Sequence, residues 1–320
     1  MKGVFHEPAM VEEVLHYLAL GPGRIYVDAT LGGAGHAEAM LKWSGPGNER
    51  VKLVLGIDQD PEAVATATDR LRSFGDRVRI RRAGFQDLAR IMEEEGLERV
   101  DGILLDLGAS RHQLTEGRRG MSFSADGPLD MRMDPEAPET AAELLERLSE
   151  KELMKLIREF GEERHARRIA RAIVERRESG RPVKTTAELA ELISRVVPVK
   201  GRGHLHPATL TFMALRIAVN HELSRLDEVL AALPPSLNAG GRAVVISYHS
   251  LEDRRVKRAF QKGEKGCVCP PGLPRCVCGQ KPVYQILTRK PARPAADEVF
   301  VNPAARSARL RAAARVEGGA

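Results

Sequence analysis

Hydrophobic positions in the first third of the chain fall in short, nearly solid runs. Ile25-Tyr26-Val27, Leu53-Val54-Leu55-Gly56-Ile57 and Ile103-Leu104-Leu105 each end at an acid, namely Asp28, Asp58 and Asp106. Short apolar runs of this kind read as strands buried on both faces. With a further run they predict strands over 24–28, 52–58, 77–83 and 100–107. Between them the spacing turns helical, over 36–43, 61–73 and 86–95, and Pro61 after Asp60 suits a first helical turn. Strand and helix alternate, which implies a parallel sheet with helices on both faces.

The pattern changes after Ser110. Irregular Gly-, Asp- and Met-rich sequence from Gly120 to Asp134 leads into helices over 139–147, 149–158, 162–178 and 185–196. A long amphipathic helix is predicted from Pro207 to Leu233, stopped by Pro234-Pro235. Sheet character returns at Gly240 to His249, and a last strand pair is placed at Val283–Thr288 and Glu298–Asn302. The simplest account is an α/β fold with an all-helical insertion. A first part spans 1–110, a helical substrate-recognition domain 111–206, and the second part 207–320.

Charge adds a partner to this picture. The chain of 320 residues carries a net charge of +6, unevenly spread. From Lys151 to His206 there are 14 Lys/Arg against 8 Glu and no Asp, and from Arg254 onward 15 Lys/Arg against 4 acids. Two basic regions flanking a ligand-binding sheet point to a polyanion, since Lys and Arg gain by releasing condensed counterions. The alternative for the middle region is a solvated helix face laced with salt bridges. No apolar run reaches membrane-spanning length. Met1 to Met10 lacks the apolar core of a signal peptide, so a cytoplasmic location and no membrane partner are expected.

Candidate chemistry gathers at the strand ends, where open parallel sheets bind ligands. Asp28-Ala29-Thr30-Leu31-Gly32-Gly33-Ala34-Gly35-His36 is a glycine-rich turn between a strand and a helix. Glycine permits positive φ and close backbone approach. Asp58, at the next strand end, is placed to bond the ribose hydroxyls of a nucleoside cofactor. No Gly-Lys-Ser/Thr follows, which argues against a P-loop, and the turn departs from G-x-G-x-x-G, which disfavours NAD relative to S-adenosylmethionine. Asp106 suits methyl transfer to an exocyclic amine. A carboxylate accepting the N–H bonds localises the amine lone pair and aims it at the sulfonium methyl.

Two further strings carry candidate residues. Cys267-Val268-Cys269 and Cys276-Val277-Cys278 flank a Pro-rich stretch. In a reducing compartment these pairs suggest a structural zinc more than a disulfide, with free thiols on a loop as the alternative. Ser247-Tyr248-His249-Ser250-Leu251-Glu252-Asp253 holds Ser, His and Asp but no G-x-S-x-G elbow. Ser250 is therefore read as a helix N-cap with Asp253 three residues on, and His249 as reaching the pocket from the strand end.

Several strings together resemble the MraW/RsmH-type 16S ribosomal RNA cytosine-N4 methyltransferases. They are the glycine turn from Asp28 to His36, Asp106-Leu107-Gly108 with Gln113, Asp126 to Asp134, Gly161-Glu162-Glu163-Arg164 with Arg168 to Ile173, His206 to Thr209, Arg216 to Asn220, His249 to Arg254, and Asn302-Pro303 through Leu310. The resemblance runs over nearly the whole chain, and the combination is far more specific than any one piece. It implies a Rossmann-like class I S-adenosylmethionine methyltransferase sheet with an inserted helical domain. It also implies methylation of a decoding-centre cytosine of the small ribosomal subunit. The cofactor contacts it implies are Ala34, Gly35, His36, Asp58, Phe85, Asp106 and Gln113, of which Phe85 and Gln113 rest on the resemblance alone. One departure is Arg111-His112, where the family carries Ser-Pro before the glutamine.

Asp106 and His249 are thus the candidate catalytic residues. Arg164, Arg167, Arg168 and Arg171 are expected to grip phosphates around a base unstacked into the pocket. The expected partner is 16S rRNA or the small subunit, with no obligatory protein partner. The rival from another class is a non-catalytic RNA-binding or assembly protein that keeps the cofactor fold.

Overall fold

The three solid apolar runs form β1 (Ile25–Asp28), β2 (Leu53–Asp58) and β4 (Val100–Asp106), and the Arg-rich β3 (Val78–Arg82) joins them. The structure is a computed structural model and describes residues 8–198, 206–267, 269, 275 and 277–317. It divides into two units, Met1–Gly108 with Ser224–Ala320, and Ala109–Leu223.

In the first unit, β1 to β4 join β5 (Leu237–Ser247), β6 (Tyr284–Ile286) and β7 (Arg309–Arg315) in one seven-stranded sheet, ordered β3-β2-β1-β4-β5-β7-β6. Strands β1 to β5 are parallel, and β7 runs antiparallel to β5 and β6. The parallel sheet reverses its strand order between β1 and β4, as in the Rossmann-like sheet that the resemblance implied.

The solid runs follow from burial on both faces. Val27, Leu55, Ile57, Ile103, Leu105 and Val245 point into one core, with Leu88, Ile91, Leu226, Val229, Leu233, Val256 and Phe260 packed on them. The packing residues lie on α4 (Leu88–Glu94), α11 (Glu222–Ser236) and α12 (Ser250–Lys265). Tyr26, Val54, Leu104, Val244 and Ile246 point the other way, onto Val14, Leu18, Ala37, Met40, Leu41, Ala67 and Leu71. These lie on α1 (Val11–Leu18), α2 (Gly35–Lys42) and α3 (Pro61–Leu71).

The second unit holds α5 (Arg111–Thr115), α6 (Ala141–Arg147), α7 (Glu150–Gly161), α8 (Ala166–Glu178), α9 (Thr186–Val196) and α10 (Thr209–Val219). Thr140, Ser149 and Thr185 cap α6, α7 and α9, each in a reciprocal box with a glutamate three residues on. Leu153, Ile157, Ile169, Ile173, Leu189, Ile193, Phe212 and Leu215 make its core. Gly161 lets α7 approach α10, because a Cβ there would stand 2.6 Å from the Leu210 carbonyl oxygen.

Four elements differ from the sequence reading. The helix predicted over 207–233 breaks in two at His221, which turns left-handed at φ 51. Beside it Asn220 is held in place: its Nδ2 donates to the Met131 and Arg216 carbonyls, and its Oδ1 accepts from the Met133 N–H. Pro234 and Pro235 fall within the last turn of α11, which runs on to Ser236. The strand predicted at Glu298–Asn302 is helix α13 (Ala296–Val301), with Phe300 and Val301 exposed. The strand partnering β6 is β7 instead. Helix α1 had no counterpart in the sequence reading.

The sequence reading closed the helical segment at His206, beside a stretch (199–205) that lies outside the described residues. In the structure α10 packs on α7 and α6, so the helical unit runs on to Leu223. Among the described residues, no helix is long and apolar enough to cross a membrane.

Candidate active site

The parallel strands deliver three acids to one edge of the sheet, because β1, β2 and β4 all end on them. Thr30 Oγ1 accepts the Asp106 N–H at 2.6 Å, the Ala29 N–H reaches the Leu104 carbonyl at 2.9 Å, and the Leu31 N–H reaches that of Ile57 at 2.9 Å. The glycine turn is thereby stitched to β2 and β4. Gly32 and Ala34 both take positive φ, 50° and 62°. For alanine that conformation costs about 1–3 kcal/mol, and the buried side chain of Ala34 is held there as the N-cap of α2. A Cβ on Gly35 would lie 2.6 Å from Pro8 Cγ, so this glycine makes room for the chain's own N-terminal segment.

Asp28 is 1% exposed; one oxygen accepts the Thr30 N–H at 3.3 Å and Oδ2 is buried without a partner. Burial pushes its pKa up to about 6, and the charges of Asp106 and Asp58 add to the push. Asp58 accepts the Gly32 N–H at 2.8 Å and the Asp60 N–H at 2.9 Å, yet burial still raises it to about 6. The Gln59 backbone N–H also lowers it, and three donors leave one lone pair of the carboxylate for a ligand.

Asp106 is raised to about 7, by burial first and by the Glu252 charge, against the lowering pull of a hydrogen bond from Tyr248. That bond runs from the Tyr248 hydroxyl to Asp106 Oδ1 at 2.9 Å. His36 Nδ1 stands 3.8 Å from Oδ2. The His36 Nε2–H donates to the Ala9 carbonyl at 2.9 Å, and burial lowers the imidazole pKa. A neutral ring with its proton on Nε2 presents only a lone pair from Nδ1. The contact is therefore no ion pair, and Oδ2 is the oxygen left to accept from a ligand.

Helix α12 starts one residue earlier than the sequence reading placed it. His249, not Ser250, is the N-cap, and Glu252, not Asp253, stands at the capping position. Glu252 is the residue within reach of the turn: its Oε2 accepts the Tyr248 N–H at 2.9 Å. Asp253 faces away and receives Arg311 Nε from β7 at 2.6 Å. His249 Nε2 lies 3.2 Å from Glu252 Oε1. Phe85 follows β3 in a 3₁₀ turn and is half-buried against the core. Its neighbour Gln86 has a buried Oε1 without a partner.

Tyr248 is the contributor that sequence reasoning missed. The available signal was register: Ile246 pairs with Asp106, so Tyr248 lies just beyond the same sheet edge.

The remaining candidates lie in the second unit. Gln113 is buried and completes a capping box with Ser110, each side chain meeting the other's backbone N–H, at 3.0 and 3.2 Å. The box holds α5 despite Arg111-His112. Arg164, Arg167 and Arg168 are exposed. Arg171, one turn on, is exposed and pairs with Glu175 at 2.7 Å. Arg167, Arg168 and Arg171, three of the five Arg of α8, sit at i, i+1 and i+4, so that Arg171 neighbours both of the others on the helix surface.

The chain has recognisable kin. A model of the MraW methylase family matches residues 3–316. The chain belongs to the MraW methylase family. Ribosomal RNA small subunit methyltransferase H of Geotalea uraniireducens is 49% identical over 320 residues, covering 99% of this chain and 100% of the relative. The protein of that name from Carboxydothermus hydrogenoformans is 48% identical over 311 residues, covering 97% and 98%. Among solved structures, an rRNA methylase from Streptococcus thermophilus aligns over 98% of this chain and 99% of its own, at 10% identity and a TM-score of 0.43. Asp28, buried, with Asp58 and Asp106, half-buried, all raised in pKa, make an edge suited to a cationic ligand.

Proposed function

We propose that the chain transfers the methyl group of S-adenosylmethionine to the exocyclic N4 amine of a cytosine in the decoding centre of 16S rRNA. The observation that carries the reading is Asp106, a half-buried carboxylate at the sheet edge with Oδ1 tied to Tyr248 and Oδ2 open to a ligand N–H. The full-length likeness to two rRNA small subunit methyltransferases H supports the substrate class.

The edge fits the cofactor. Asp28 Oδ2 and Gln86 Oε1 are buried acceptors that lack a donor, matching an ammonium and an adenine amine. Asp58 has a lone pair for a ribose hydroxyl, and the half-buried Phe85 offers a ring to the adenine. Ala34, Gly35, His36 and Gln113 complete the assigned set. S-adenosylmethionine supplies an activated methyl on a sulfonium. As the methyl passes to N4, the C–S bond breaks, the N4–C bond forms, a proton leaves N4, and S-adenosylhomocysteine is the product.

Asp106 accepts a hydrogen bond from N4, which keeps the amine lone pair off the ring and aimed at the methyl. Glu252 braces the turn that carries Tyr248 through the backbone N–H groups of Tyr248 and His249, and both ring nitrogens of His249 are buried without a hydrogen-bond partner. Arg164, Arg167, Arg168 and Arg171 hold phosphates near the unstacked base.

The test is labelled methyl transfer to small subunits from cells lacking the enzyme, with the label mapped by nuclease digestion and mass spectrometry. Label on one cytosine amine is expected, and its loss with Asp106→Ala while the cofactor still binds. Transfer that survives Asp106→Ala overturns the residue's role. No label on subunits or free rRNA, with the cofactor bound, favours a binding protein that keeps the fold.

A further inference from the structure

The connection between α12 and β6 brings together three thiols that the reaction does not use. The Sγ atoms of Cys267, Cys269 and Cys278 all lie within 4.8 Å of one another, and the three cysteines are half-buried and outside any disulfide. Cys276, the fourth in the sequence, lies outside the described residues. At its base the connection is pinched: Val283 N–H donates to the Gly263 carbonyl at 2.9 Å. Gly266, at φ 64, lies so close to the other arm that a Cβ would stand 2.4 Å from Pro282 N.

Two observations bear on what the thiols are for. The sulfurs of Cys267 and Cys278 are 3.8 Å apart. A disulfide needs about 2.05 Å, whereas a tetrahedral zinc with Zn–S bonds of about 2.3 Å sets its sulfurs about 3.8 Å apart. Second, the Val277 N–H donates to Cys269 Sγ at 3.4 Å. This bond ties the Cys269 sulfur to the arm that carries Cys278.

We propose that Cys267, Cys269 and Cys278 ligate a structural zinc ion. All-sulfur soft donors select zinc over magnesium or calcium. Zinc with three thiolates carries net negative charge, and Lys262, Lys265 and Lys281 in the adjoining sequence complement it. The sequence between the cysteine pairs is Pro-rich and has no apolar run, a composition that suits a metal clip.

The experiment is metal analysis of the full chain, purified without chelator or metal-affinity steps. About one zinc per chain is expected, with its loss in Cys267→Ser and Cys278→Ser. Two measurements on the unaltered sequence guard against misfolded variants. Zinc added to the metal-free chain should slow modification of its thiols by a chromogenic disulfide reagent. Cobalt should give a thiolate charge-transfer band and the strong visible bands of a tetrahedral site. Thiols that react equally fast with and without zinc, or variants that keep the metal, overturn the proposal. None of these readouts depends on methyl transfer.

Discussion

Tyr248→Phe removes one hydroxyl and leaves the ring that packs beside Gly108. That hydroxyl is the donor to Asp106 Oδ1, and it lowers a carboxyl that burial otherwise raises to about 7. A hydrogen bond to an ionised group is worth about 1.5–3 kcal/mol, or about one to two powers of ten in proton affinity. Asp106 must be ionised to accept from the amine, so its protonation sets an acid limb of kcat/KM, which reports the free enzyme. In the variant that limb should move up by about one to two pH units. At pH 7 kcat/KM should fall by about 5- to 50-fold, recovering towards about pH 9. Asp28 and Asp58 also titrate, at about 6, but neither touches the hydroxyl, so their part of the profile should stay in place. The assay is methyl transfer to small subunits across pH 5.5–9.5 (roughly the span that brackets both limbs). An acid limb that does not move refutes the pairing of Tyr248 with a working carboxylate.

Asp28→Asn should stabilise the cofactor-free protein at high pH. The folded state raises this group from 3.8 to about 6, so it binds the proton more tightly than the unfolded chain does. That contribution is full below pH 3.8 and is lost as the pH rises through about 6, a swing of roughly 3 kcal/mol in all, of which denaturant titrations at pH 5 and 8 should show about 1.4 kcal/mol, absent in the variant. The same variant should bind S-adenosylmethionine more weakly by calorimetry; unchanged affinity would remove Asp28 from the cofactor edge. Replacing Arg167 and Arg168 together with Ala should flatten the salt dependence of RNA binding by about one to two in the log–log slope, and an unaltered slope would place the RNA elsewhere. Gly161→Ala should lower the stability of the helical unit by about 1–3 kcal/mol in thermal unfolding, since its Cβ would meet the Leu210 carbonyl oxygen.

The acid-ended strands were legible because a parallel strand buried on both faces has no polar position until it leaves the sheet. That rule exposed Asp28, Asp58 and Asp106 together. Helix α1 was hidden because its two ends carry no ordinary punctuation: Met10 and Ala19 flank it in left-handed conformations, with no capping side chain. Strand β7 reads Arg309-Leu310-Arg311-Ala312-Ala313-Ala314-Arg315, poor in β-formers, and it exists through pairing with β5 and through Arg311 meeting Asp253. The bond from Tyr248 to Asp106 joins positions 142 residues apart, a contact set by strand order and invisible to local pattern. The break at His221 depends on Asn220 binding a loop nearly ninety positions earlier.

Strand order also sets a schedule during synthesis. Strands β1 to β4 are contiguous in sequence and adjacent in the sheet, so this half can assemble as soon as Asp106 has emerged. Its next neighbour, β5, begins at Leu237, on the far side of the Ala109–Leu223 unit. At ribosomal rates that gap lasts on the order of ten seconds. Through it the nascent chain carries an unpaired β4 edge, the kind of surface that invites wrong pairing. The glycine turn and two of its acids are complete in that interval, while Asp106 still waits for its tyrosine. A ligand that grips the early half would steady it while the edge is open, and methyl-transfer competence would come only with the last third of the chain.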